Sequence, residues 1–165
     1  MEKNKRPRWL AVLCILTMVN TGLSTFSNLA ALFISPDPSI LEASNEPLSN
    51  QIKEYEAVNF HKGAVFVEKI IHMNEVFFES YYTYHFLLCI VFILGFVGAY
   101  FMMKGFQLGF HLYIVYSILS IAHIYVFVLP KDVPTAYVLS LGIISAVMIW
   151  FYSKFRNWFR SEFPI

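Results

Sequence analysis

Charge is what this sequence has least of. Only 14% of its 165 residues are Asp, Glu, Lys or Arg, against about 25% in ordinary soluble domains. That is too few to cover a water-exposed surface. Cysteine is nearly absent: Cys14 and Cys89 stand alone within apolar runs. There is no CxxC pair, no zinc-type Cys/His spacing and no lipoprotein cleavage pattern. Also missing are paired carboxylates, a nucleophile–base constellation, a Gly-rich phosphate loop and a basic nucleic-acid patch. These absences argue against an enzyme and against a nucleic-acid partner. What is present is apolar: 58% of the residues are hydrophobic and 18% are aromatic.

Residues 9–34, 84–103, 106–129 and 134–153 contain no Asp, Glu, Lys or Arg. About 20 such residues in a helix cross ~30 Å of hydrocarbon. The sequence therefore predicts a single all-α membrane domain over residues 1–165, with four transmembrane helices and the bilayer as its first partner. The charges set the orientation. Lys3, Lys5, Arg6, Arg8, Lys104, Lys154, Arg156 and Arg160 fall on one side if the spans alternate. Segment 35–83, rich in Glu, falls on the other. The positive-inside rule then predicts cytoplasmic termini and an acidic outer segment. Trp9, Trp150 and Trp158 at one interface and Tyr81, Tyr82 and Tyr84 at the other form matching aromatic belts. The basic start followed by Leu10–Val19 resembles a signal peptide. No small-x-small site follows promptly and apolar character resumes, so an uncleaved span is expected.

Lys104-Gly105 and Pro130–Val133 are short links, which favour antiparallel neighbours and an up-and-down bundle. Asp132 is placed to cap the fourth span, with Pro134 in its first turn. Gly95/Ala99 and Gly142/Ala146 are small-xxx-small pairs that permit close packing. Cys14 and Cys89 should differ in depth by ~15 Å, beyond the roughly 7 Å reach of a disulfide, so two thiols are expected.

In the outer segment, Ser35–Asn50 reads as an irregular loop because Pro36, Pro38 and Pro47 sit among Ser and Asn. From Gln51 an amphipathic helical pattern begins, bent or broken near Gly63. It reaches Tyr84 in a form that allows one helix to continue into the second span. Glu54, His61, Glu68, His72, Glu75 and Glu79 share ~60° of its arc. A solvated face is the plain reading. Glu68, Glu75 and Glu79 could instead dock a basic surface. His61, Glu68, His72 and Glu75 have spacings that could bring ligands to a divalent metal.

Two further polar stripes lie inside the spans. The first helix carries Asn20, Ser24, Ser27 and Asn28 with Thr17 and Thr21. The third carries Tyr116, Ser117, Ser120 and His123. Counted from the inner boundary at 1.5 Å per residue, the stripes match in depth in the outer half of the membrane. Such groups must face protein or water. They can serve as interhelical hydrogen-bonding contacts, as a surface for a partner helix, or as a pocket for a lipid head, quinone or haem. In the haem case His85 and His123 would be the axial pair.

The run Arg6-Pro7-Arg8-Trp9-Leu10-Ala11-Val12-Leu13-Cys14-Ile15-Leu16-Thr17, with Gly22 and Ser24, resembles the start of small four-helix membrane proteins of Bacteroidota. The likeness covers about twenty residues and implies a bacterial inner membrane with a periplasmic outer side. It carries no activity.

Few ionisable groups lie within the spans, which weighs against an ion-coupled pump. Two functions are expected. The first is a non-catalytic accessory or structural subunit of a larger inner-membrane complex of integral membrane proteins. The alternative is a binding protein for a lipophile, haem or divalent metal, seated in the outer half of the membrane.

Overall fold

The computed structural model of the chain describes residues 7–159. Lys3, Lys5, Arg6 and Arg160, part of the charge reading, lie outside them. Among the described residues the order is α1 (Arg8–Ala31), α2 (Pro38–Ala57), α3 (His61–Glu79), α4 (Tyr81–Lys104), α5 (Gln107–Ala122), α6 (Ile124–Phe127) and α7 (Thr135–Ser153). Four helical stretches are long and apolar enough to span a membrane: α1, α4, α5 with α6, and α7. This is an all-α, multi-pass membrane bundle. Its ends are called here the hairpin side, where α2 and α3 sit, and the terminal side.

The packing follows chain order. α1 lies against α4, α4 against α5, and α5 against α7. Glycine decides how tightly. A Cβ on Gly98 would meet Tyr113 N at 3.0 Å and Gly109 O at 3.1 Å, so α4 and α5 touch backbone to backbone. At Gly95 a Cβ would meet Thr21 and the Tyr116 ring, both at 2.9 Å, so α1, α4 and α5 converge there. Ala99, four residues on, is fully buried. Gly142 meets nothing within 4 Å. The pair in the second span is therefore used and the pair in the fourth is open, while the Gly98–Gly109 crossing escaped the small-xxx-small pattern.

Two cores hold the ends. On the terminal side Leu10, Cys14, Met102, Tyr113 and Tyr152 form a buried cluster. The left-handed cap at Gly105 (φ 89°) ends α4, and the Trp158 ring lies over it where a Cβ would intrude. Lys154 sits over the Trp150 ring at 4.4 Å, its charge raised towards the interface. On the hairpin side Met73 of α3 joins Ile124, Val128 and Val133, and Lys69 Nζ donates to the Lys131 carbonyl. These two contacts lay α3 across the ends of the third and fourth spans.

Several expectations are corrected here. Residues 38–50, expected as an irregular loop, are helical and run on into the expected helix from Gln51 as α2 (Pro38–Ala57). Pro38 occupies its first turn and Asp37 caps it, accepting from Ser39 N at 3.0 Å. That bond holds the Asp37 carboxyl below its ordinary range. Pro47 is accommodated inside the helix. The break falls at Val58–Phe60, where Asn59, four residues before Gly63, takes φ 57°. Gly63 is instead needed because Phe60 and Tyr55 rings crowd its Cα. α3 and α4 are separate helices, interrupted at Ser80 (φ −100°, ψ 24°). Asp132 does not cap α7; Pro134 stands at that N-cap without a side-chain bond.

Candidate functional site

A cavity of about 530 Å³ lies among α1, α4, α5 and α7. Its lower wall is set by a hydrogen bond of 2.7 Å between Thr17 Oγ1 and Tyr152 OH, which joins α1 to α7. Towards the hairpin side its roof is aromatic. Tyr84 stacks on Phe77 at 4.4 Å, meets Phe127 edge-on at 5.7 Å and lies 6.0 Å from the His123 ring. The walls mix Leu16, Leu88, Phe92, Leu141, Ile144 and Met148 with Asn20, Tyr116, Ser117, Ser120, Tyr137 and Ser145. Among the described residues no Asp, Glu, Lys or Arg lines it.

The two predicted stripes meet this cavity unequally. Ser117, Ser120 and His123 of the third span line it, and so do Asn20 and Thr17 of the first. Ser24, Ser27 and Asn28 do not. Asn28 turns to α4: its Oδ1 lies 2.7 Å from His85 Nδ1, and its amide donates to the Ser24 carbonyl at 2.7 Å. Ser27 is exposed on the surface of α1. Thr21 and Thr25 donate to carbonyls four residues back in their own helix. So much of the first stripe is satisfied locally, as short hydroxyl side chains in helices commonly are.

Chemistry at the cavity is that of hydrogen bonding. Ser117 donates to the Tyr113 carbonyl and Ser120 to the Ser117 carbonyl, both at 2.9 Å. Their donors are committed to the backbone. Among the described residues the Asn20 amide and the hydroxyls of Tyr84, Tyr116 and Tyr137 make no hydrogen bond with another protein group. His123, at the break between α5 and α6, keeps Nδ1 enclosed and unpartnered. Tyr84, Tyr137 and Ser145 were missed in the sequence. Tyr84 was read only as part of the outer aromatic belt, and Tyr137 and Ser145 have no periodic polar pattern to mark them.

The metal and haem readings lose their geometry. Among the described residues no three His, Cys, Asp or Glu side chains are placed to hold a metal ion, so His61, Glu68, His72 and Glu75 form no ligand set. All four are exposed along α3. His85 and His123 line different cavities on either side of Tyr84, and His85 is engaged with Asn28, so they make no axial pair. Glu68, Glu75 and Glu79 do form one exposed acidic face. Cys14 and Cys89 are buried and in no disulfide.

The fold and site together define a class: a helical membrane protein with a mainly apolar, half-open cleft among its spans that carries a few polar groups. Comparison with protein-family models, curated proteins and solved structures gave no match.

Proposed function

We propose that this chain is a non-catalytic membrane protein that binds a lipophilic molecule in the cavity between its spans. The cavity itself is the observation that carries the reading. Its volume of about 530 Å³ falls within the range of about 300–1,000 Å³ typical of small-molecule pockets. Leu16, Asn20, Tyr137 and Ile144 on its rim are exposed, so a lipophile can enter it from the bilayer. By the resemblance of its first residues, the protein belongs to a bacterial inner membrane, with α2 and α3 in the periplasm and both termini in the cytoplasm.

The alternative, an accessory or structural subunit of a larger membrane complex, draws on a different observation. Glu68, Glu75 and Glu79 present an exposed acidic face on α3, and α7 buries Tyr152 alone within the chain. One experiment separates the two. The protein is purified in mild detergent, and the co-eluting lipids and proteins are both measured by mass spectrometry. A stoichiometric lipophile, lost in a Ser120→Phe variant that fills the cavity, supports the binding reading. A stoichiometric membrane protein, lost when Glu68, Glu75 and Glu79 become Lys, supports the subunit reading.

A further inference from the structure

We infer that the cavity selects a neutral lipid whose head carries two or more carbonyl oxygens; this rests on the binding reading above. Charge decides first. Among the described residues no ionised side chain lines the cavity, and a charged head drawn into it would lack a counter-charge, at a cost of several kcal/mol. Fatty-acid carboxylates, phosphate heads and cationic amines are thereby disfavoured.

Donor and acceptor balance decides next. Ser117 and Ser120 have given their protons to carbonyls of their own helix. Among the described residues, the groups left over are the phenols of Tyr84, Tyr116 and Tyr137, the Ser145 hydroxyl and the Asn20 amide, each with a proton to donate, beside the unpartnered His123 Nδ1. A head with a single hydroxyl meets one of them. A head with two carbonyl oxygens meets Tyr84 and Tyr137, both at the hairpin-side end of the cavity, at once. The depth fits the same molecule. Tyr84 and Tyr137 lie near the hairpin-side starts of α4 and α7, whereas Leu16, Phe92, Ile144 and Met148 line the deeper part. From Tyr137 to Met148 the wall runs ~16 Å at 1.5 Å per residue. The head sits beneath the Tyr84 roof and the tail runs down towards the Thr17–Tyr152 bond. Two sources share this chemistry: a quinone ring and the paired esters of a diacylglycerol.

The test uses the delipidated full chain in detergent, titrated separately with decylubiquinone, dioctanoylglycerol and dioctanoyl phosphatidylglycerol, binding being read as a concentration-dependent rise in melting temperature. At least one of the two neutral probes should bind saturably. Phosphatidylglycerol should bind at least about tenfold more weakly, as expected for an unpaired buried charge. The Tyr84→Phe/Tyr137→Phe double variant keeps both rings and should weaken the neutral probe by about tenfold or more, two hydrogen bonds at roughly fivefold each. Binding of decylubiquinone alone identifies the ring, and of dioctanoylglycerol alone the paired esters. If phosphatidylglycerol binds as tightly, or the double variant binds the neutral probe unchanged while Ser120→Phe abolishes it, the carbonyl inference is overturned and the cavity reading stands. If no probe binds, or binding is unchanged in a folded Ser120→Phe variant, the cavity reading falls with it.

Discussion

Thr17 and Tyr152, 135 positions apart, meet through a single hydrogen bond of 2.7 Å between a threonine hydroxyl and a phenol. It is made between buried groups and joins the first and last spans. Tyr152→Phe leaves the ring in place, against Tyr113 at 4.7 Å, and removes only the oxygen. A loss of about 0.6–2 kcal/mol is expected, the range between measured interhelical bonds in membranes and a buried hydroxyl left unpaired. The Thr17→Val/Tyr152→Phe double variant should lose less than the sum of the two singles, as groups sharing one bond do. Reversible unfolding in mixed detergent measures it; strict additivity would show that the two oxygens do not interact.

Two glycines give an internally controlled pair. A Cβ on Gly109 would fall 2.6 Å from Gly98 O and closer still to Met102 N, both backbone atoms that cannot swing away. Gly109→Ala should cost about 1–3 kcal/mol as overpacking. Gly142→Ala meets open space and should be neutral or stabilising by up to about 1 kcal/mol through helix propensity. Equal effects at both positions, in the same unfolding assay, would contradict the α4–α5 crossing.

The turn between α2 and α3 is set by backbone conformation. Asn59 sits at φ 57°, where Asn and Gly are at ease and β-branched residues are strained. Asn59→Gly should leave the melting temperature nearly unchanged. Asn59→Val should lower hairpin stability by about 1–2 kcal/mol, seen as faster proteolysis between Ala57 and His61.

Topology is tested by labelling. Ser44 lies exposed on α2, so a cysteine placed there should react with an impermeant maleimide in intact cells, while tags at both termini stay protected. Labelled termini with an unlabelled residue 44 would invert the orientation. The native thiols are expected to stay silent without detergent. After denaturation in the absence of reductant, Cys14 and Cys89 should both alkylate.

The spans were legible because an unbroken apolar run of about twenty residues has one solution in lipid. The helices lie within about three residues of the expected ends: α4 begins at Tyr81 rather than Tyr84, and α1 stops at Ala31 rather than Ile34. The outer segment was half legible. Proline normally punctuates a helix, yet Pro38 stands where its missing N–H costs nothing, and the Asp37 cap starts α2. The real punctuation was an ordinary Asn at 59, whose left-handed backbone no local pattern announces. At the site, Ser117, Ser120 and His123 were found because they repeat at helical spacing. Tyr84 and Tyr137 were not, because convergence of different spans on one cavity is a property of the packing.

The division of close packing also orders assembly. α1, α4 and α5 converge at Gly95, with α4 and α5 in backbone contact at Gly98 and Gly109. α7 buries only Tyr152. The first three spans leave the ribosome before the fourth and can build their shared contacts without it. α7 then docks onto a finished three-helix unit. A ribosome stalled just beyond Pro134 would thus hold a bundle whose future cavity is still an open groove. The cavity gains its fourth wall only when the last span arrives.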